Sequence, residues 1–186
     1  MNNQITNTSS PFTLALLRRG VKLRSTGFEV RRAVRAVVNQ ADRFLLVHST
    51  VNGDYKFPGG GVQPGERHRD TLSREMHEET GYRLHSVNAL LGVTTEIDLP
   101  LSGVMQPFRM VSFYYSCDIN PERGIPEPDI YEEELGFQPQ WVTLNTALRN
   151  NRRLLRSSAA GQIFWLARET AVLQRCLSLF YGESVS

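Results

Sequence analysis

The sequence is poor in the features that would tie a chain to a membrane, an oxidising compartment or a nucleic acid. Its two cysteines, Cys117 and Cys176, are too few and too far apart for a disulfide framework or a zinc site. Cys117 lies in an apolar, strand-like run, the setting of a buried free thiol. No segment reaches the roughly 18 consecutive apolar residues that read as a membrane span. The opening stretch MNNQITNTSSPFTLALLRRG lacks the basic start and long apolar run of a signal peptide. A reducing cytoplasm is the expectation. The net charge of +2 makes no case for nucleic acid, and neither repeats nor low-complexity tracts occur.

What is present is ordinary in amount and uneven in placement. The 186 residues, 40% apolar and 22% charged, suit one domain with a full hydrophobic core. Residues 18–35 carry Arg18, Arg19, Lys22, Arg24, Arg31, Arg32 and Arg35 against one acid, Glu29. Arg149, Arg152, Arg153 and Arg156 form a second basic group, and residues 122–134 hold six acids and one arginine. Charge runs of this kind are read first as solvated faces.

Along the chain, residues 1–11 are polar and read as loose. FTLALL and VKLRS have the β character of a short hairpin around Arg19-Gly20, inside an N-terminal extension of residues 1–27. The domain proper is read as residues 28–186. FEVRRAVRAVVNQ and RFLLVHST are apolar runs joined by a hairpin signal at Asn39-Gln40-Ala41-Asp42. KFPGGGVQPGE is a glycine- and proline-rich loop, and RDTLSREMHEET is a helix stopped by Gly81. Two strands follow, HSVNALLGVTTEIDL and FRMVSFYYSCDI, then an acidic loop over residues 120–139. QWVTL is a short strand, and Asn145 is the expected cap of a helix through Leu155. Ile163, Leu166, Thr170, Leu173, Leu177 and Phe180 recur at spacings of three and four, which predicts an amphipathic C-terminal helix. Strands mixed with helices point to a layered α/β fold.

The chemistry concentrates between Gly60 and Tyr82. Glu75, Glu78 and Glu79 fall within an arc of roughly 100° on a helix that advances about 100° per residue. Three such anions repel and destabilise a bare helix. A divalent cation removes that penalty, and oxygen-only donors suit Mg²⁺ or Mn²⁺. Gly59, Gly60 and Gly61 just before them let the backbone turn sharply and come close to a substrate.

Gly60, five residues, Glu66, seven residues, then Arg74-Glu75-Met76-His77-Glu78-Glu79-Thr80-Gly81 resembles the Nudix box of the Nudix (MutT-type) hydrolases. All seven fixed glycine and charged positions match; average composition gives a chance on the order of 10⁻⁸ per start. The residue after Gly81 departs from the usual aliphatic, being Tyr82, whose ring fills the same kind of slot. The LLVHST…YKFPGGG hairpin and the Trp141-Val142-Thr143-Leu144 strand extend the likeness over about residues 28–150. The resemblance implies a mixed β-sheet sandwiched between α-helices. It also implies Mg²⁺ (or Mn²⁺) on Glu75, Glu78 and Glu79, with Arg74 and Glu66 tying loop to helix, and Glu66 in some members reaching the metal. A base or extra ligand is sought among Glu132, Glu133 and Glu134, and Gly59 and Gly60 approach the substrate.

The implied reaction is hydrolysis of a pyrophosphate bond in a nucleoside diphosphate linked to another moiety. The implied partner is that small molecule, with no membrane and with a homodimer left open. A catalytically silent nucleotide sensor and an RNA-directed pyrophosphohydrolase are the alternatives; a sensor commonly loses box glutamates that this chain keeps. An isomerase of the same fold needs a cysteine motif that is missing around Cys117. His68, His77 and His85 raise zinc, but position 81 is glycine, so the HExxH pattern that His77-Glu78 begins has no second histidine. His77 is expected to project away from the three glutamates as a surface residue. Arg31, Arg35 and Arg109 are candidate phosphate contacts. Pro100 and Gln106-Pro107-Phe108 match subfamily markers only in fragments and name no substrate.

Overall fold

The computed structural model describes residues 11–17, 29–98, 108–161 and 163–182. Eight strands and four α-helices follow in the order β1 (Phe12–Leu17), β2 (Glu29–Val37), β3 (Asn39–Gln40), β4 (Arg43–Ser49), β5 (Tyr55–Lys56), α1 (His68–Thr80), β6 (Tyr82–Asp98), β7 (Phe108–Arg123), α2 (Ile130–Glu134), β8 (Phe137–Val142), α3 (Leu144–Leu155) and α4 (Leu166–Tyr181). A mixed sheet runs β1-β6-β7-β2, with β1 parallel to β6, β6 antiparallel to β7 and β7 parallel to β2. A smaller antiparallel sheet is built on β4, which pairs with β3, β5 and β8.

The apolar runs of β2 and β4 are nearly continuous because both faces are covered. Val34, Ala36, Val38 and Leu45 pack against Leu72 and Met76 of α1. Val37, Phe44 and Leu46 point the other way and meet Leu144 and Leu148 of α3 and Leu173 and Cys176 of α4. Helices thus lie on both sides of the strands, as the sequence led us to expect. The hairpin signal at Asn39–Asp42 joins only β3 to β4. The long strand β2 leaves for the other sheet, where its partner β7 is more than 70 residues away in sequence. Residues 21–25, the expected partner of FTLALL in an N-terminal hairpin, lie outside the described residues; β1 itself is an edge strand beside β6.

Helix ends follow local chemistry. Helix α1 stops at Gly81, whose φ of 76° is left-handed and whose N–H returns to His77 O at 2.8 Å. Thr143, not Asn145, caps α3: its side chain accepts the Thr146 N–H at 3.2 Å. Residues 130–134 of the acidic segment form the short helix α2, closed by a capping box in which Asp129 and Glu132 exchange hydrogen bonds. The amphipathic C-terminal helix starts at Leu166, three residues after Ile163, where its apolar pattern begins. No helix among the described residues is long and apolar enough to cross a membrane. Cys117 and Cys176 are free and buried, and burial pushes the Cys117 thiol up to about 12.

Candidate active site

The glycine loop is clipped to the outer edge of β2. Val34 N–H donates to Gly60 O at 3.0 Å, Ala36 N–H to Pro58 O at 2.8 Å and Val62 N–H to Arg32 O at 2.9 Å. Gly59 holds a φ of 131°, and a Cβ there would lie 2.1 Å from Val34 O. A Cβ on Gly60 would lie 2.3 Å from the Glu75 carboxylate. The two glycines therefore let the loop lie flat between β2 and α1, with Glu75 directly over Gly60. Arg35, reaching across from β2, donates from Nη1 to Gly59 O.

Arg74 is the hub of the box. Its Nε and Nη2 donate to Glu66 at 3.0 and 3.1 Å, and its Nη1 donates to Glu75 at 2.7 Å and to Glu78 at 3.0 Å. Glu66 also accepts from Gln63 N–H and Thr71 Oγ1. The adjacent guanidinium is the main cause that holds Glu66 down at about 2. With its oxygens so committed, Glu66 braces the loop against α1 and is not aimed at open space. Glu75 shifts the opposite way: burial and then the neighbouring Glu79 carboxylate raise it, and Arg74 only partly offsets them. Glu78 keeps the most exposed side chain of the three.

Glu79 turns inward. It is 3% exposed, and its two oxygens accept the Gly59 N–H at 2.7 Å and the Lys56 ammonium at 2.6 Å. Glu132, on the one-turn helix α2, approaches the same place, its Oε1 3.9 Å from Lys56 Nζ. Burial and the nearby Glu79 carboxylate push Glu132 up to about 8. Glu133 and Glu134 are exposed. Of the three acidic-loop candidates, tertiary structure brings one to the box. Lys56 is the residue that the sequence did not flag; a single lysine before Phe-Pro-Gly carries no motif of its own.

A second ion cluster reaches the loop from α4. Glu169, fully buried, accepts from Phe57 N–H at 3.0 Å, from Tyr114 Oη at 3.0 Å and from Arg168 Nε at 2.9 Å. Arg168 also pairs with Glu96 on β6. Positive Arg168, and then Arg35, help hold Glu169 below its usual range despite its burial.

The histidines contribute nothing to a metal centre. His68 is wedged among Phe113 and Tyr115, with Nδ1 2.8 Å from Tyr115 Oη, and burial lowers it. His77 does not face away from all three glutamates: half-buried, it lines a shallow groove of about 430 Å³ with Arg74, Glu78 and Glu127. His85 is exposed. Pro100, Gln106 and Pro107 lie outside the described residues.

The donor set fits Mg²⁺ or Mn²⁺ in chemistry: Glu75, Glu78, Glu79 and Glu132 offer hard oxygens alone. Burial, and then the proximity of Glu79, raises both Glu75 and Glu132. As placed, no group of three His, Cys, Asp or Glu side chains among the described residues is gathered to hold an ion. Arg74 and Lys56 take up carboxylate oxygens instead.

A helix carrying this carboxylate row, fed by a glycine loop and packed on one face of the strands, is the arrangement of one family. The Nudix domain model matches residues 29–166, so the chain belongs to the Nudix family, and with its curated relatives it is an enzyme of the hydrolase class. It is 28% identical over 109 residues, 55% of this chain and 76% of the relative, to nucleoside triphosphatase NudI of Salmonella arizonae. It is 32% identical over 85 residues, 45% of this chain and 52% of the relative, to the uncharacterized Nudix hydrolase YvcI of Bacillus subtilis. Among solved structures, the E. coli ORF135 protein superposes with a TM-score of 0.55 at 18% identity, over 86% of this chain and 96% of that one, which is a likeness of fold.

Proposed function

We propose that this enzyme hydrolyses a pyrophosphate bond in a nucleoside diphosphate linked to another moiety, using a divalent cation held by Glu75, Glu78 and Glu79. The observation that carries the reading is the surplus of carboxylate around the glycine loop. Glu66, Glu75, Glu78, Glu79 and Glu132 are gathered about two cations, Arg74 and Lys56. A structural ion cluster has no use for such an excess, whereas a site for Mg²⁺ or Mn²⁺ does. When bound, the ion neutralises charge on the diphosphate and makes a bound water more acidic.

The chain's own groups have separable tasks. Arg74 fixes the rotamers of Glu75 and Glu78, the second-layer orientation on which a metal site depends. Gly59 and Gly60, lacking side chains, let the loop lie against β2 and beneath Glu75, which sets the Glu75 carboxylate over the backbone that would meet the diphosphate. Glu132 is the base: it is the acidic-segment carboxylate that stands at the box, and its raised affinity for a proton suits it to take one from the attacking water once a bound cation has relieved the repulsion from Glu79.

The test is a substrate panel with Mg²⁺ or Mn²⁺. Nucleoside triphosphates come first, since a relative bears that activity in its name, followed by oxidised dNTPs, ADP-ribose, dinucleoside polyphosphates, NADH, CoA and capped RNA. Glu78→Gln is expected to cost on the order of 10²-fold or more in turnover, about 2.7 kcal/mol of barrier. Glu132→Gln is expected to remove the limb of the rate–pH profile set by the base, while Glu133→Gln leaves it in place. Turnover indifferent to chelation and to Glu78→Gln would sink the mechanism. Tight nucleotide binding with no turnover would favour the sensor.

A further inference from the structure

We propose that Lys56 is a resident competitor for the divalent cation at Glu79, so that its ammonium sets how tightly the free enzyme holds the ion. The inference rests on the metal-site reading above and adds a residue that no box position supplies. Lys56 sits at the end of β5, and its side chain is only 10% exposed against 1% for Glu79. Its Nζ lies 2.6 Å from Glu79 Oε1, 3.9 Å from Glu132 Oε1 and 4.0 Å from the centroid of the Phe137 ring.

Each contact has a consequence for an incoming ion. Glu79 Oε2 already accepts the Gly59 N–H, so Oε1 is the oxygen with capacity to spare, and Lys56 occupies it. A divalent cation on Oε1 would meet the ammonium at close range in a site that water screens poorly, where like charges repel strongly. The ammonium must therefore give way before Glu79 can serve. It has somewhere to go: the Glu132 carboxylate and the face of Phe137 border it, and an ammonium over an aromatic face is stabilised without consuming a carboxylate. The same contact explains how a buried Glu79 is tolerated without a cation, since an unpaired buried carboxylate is costly.

A purely structural Lys56 would make the opposite demand. Its removal would loosen the carboxylates and weaken metal binding. The two roles are separated by titrating the substrate-free enzyme with Mn²⁺ and reading free Mn²⁺ by electron paramagnetic resonance. Lys56→Met is expected to bind Mn²⁺ about tenfold more tightly than wild type, ~1.4 kcal/mol. It is also expected to melt at a lower temperature without metal and to gain more on saturation with Mn²⁺. Lys56→Gln, which keeps a polar head, provides the same comparison where the methionine variant folds poorly. Arg67→Met, removing one exposed charge at the residue just before α1, controls for net charge and is expected to leave the affinity within about twofold. Equal or weaker Mn²⁺ binding in the Lys56 variants would overturn the competitor role while leaving the site intact. A wild type that binds no Mn²⁺ would overturn the site reading itself, and the competitor with it.

Discussion

Two ion clusters grip the same short segment, residues 57–60, and they are finished differently. On the α4 side, Arg168 stands between Glu96 and Glu169, and Glu169 accepts from the Tyr114 hydroxyl and the Phe57 N–H. Nothing there is left over for a ligand. On the α1 side, five carboxylates share Arg74 and Lys56, and Glu75 and Glu132 are raised by burial and then by the neighbouring Glu79 carboxylate. Burial alone does not separate the two, since Glu79 and Glu169 are both buried. The exposure of the remaining members does: Glu78 keeps a side chain 37% exposed on the α1 side, whereas Glu96, the most open carboxylate of the other cluster, is 16% exposed. A closed cluster builds the scaffold, and an open one is kept for chemistry.

Perturbing each cluster puts that contrast at risk, and the largest effect belongs to the closed one. Arg168→Met strands Glu96 and Glu169 without their cation, and breaking a buried pair in this way costs about 3–5 kcal/mol. Denaturant unfolding measures it, and a loss under about 1 kcal/mol would erase the distinction. Glu169→Gln is milder, about 1–3 kcal/mol, because an amide hydrogen must oppose one of three donors. Faster hydrogen exchange at the Phe57 amide should accompany it.

The smallest effect is on the open cluster. Arg74 holds Glu66 at about 2, below its ordinary 4.5, so Glu66 contributes stability that is present above about 4.5 and lost as pH falls toward about 2. Glu66→Gln should flatten the melting temperature across that window and cost no more than about 1 kcal/mol at neutral pH, because the pair is partly solvated. A steep acid slope surviving the substitution would assign it to other carboxylates.

How far these clusters are readable from sequence follows how local they are. The α1 cluster sits within one helix and the loop before it, so spacing alone places Glu75, Glu78 and Glu79 on one side and Gly81 at the end. Which of Glu132, Glu133 and Glu134 joins them depends on where α2 docks against β5, and no local pattern encodes that. The α4 cluster is hidden for a related reason. Leu166, Leu173 and Phe180 give the helix its apolar stripe, while Arg168 and Glu169 beside them belong to no motif, yet both are buried. At Asn39–Asp42 the turn chemistry is local and legible. The departure of β2 to pair with β7 is a long-range choice, which the apolar run AVRAVV permits but does not specify. The cap of α3 is local too: Thr143 stands immediately before Leu144 and carries a capping side chain as Asn145 does, so sequence alone leaves the two in competition.

The backbone clip between the glycine loop and β2 has a meaning apart from catalysis. In the order β1-β6-β7-β2, strand β2 is a terminal strand, and a terminal strand offers free amides and carbonyls to any extended chain that drifts past. Residues 58–62 already use those of Arg32, Val34 and Ala36. The glycine loop beside the carboxylates is also the guard on the sheet's flank. A substitution that lifted it away, at Gly59 above all, would trade lost turnover for a surface inviting aggregation, so solubility and activity should fail together at this position.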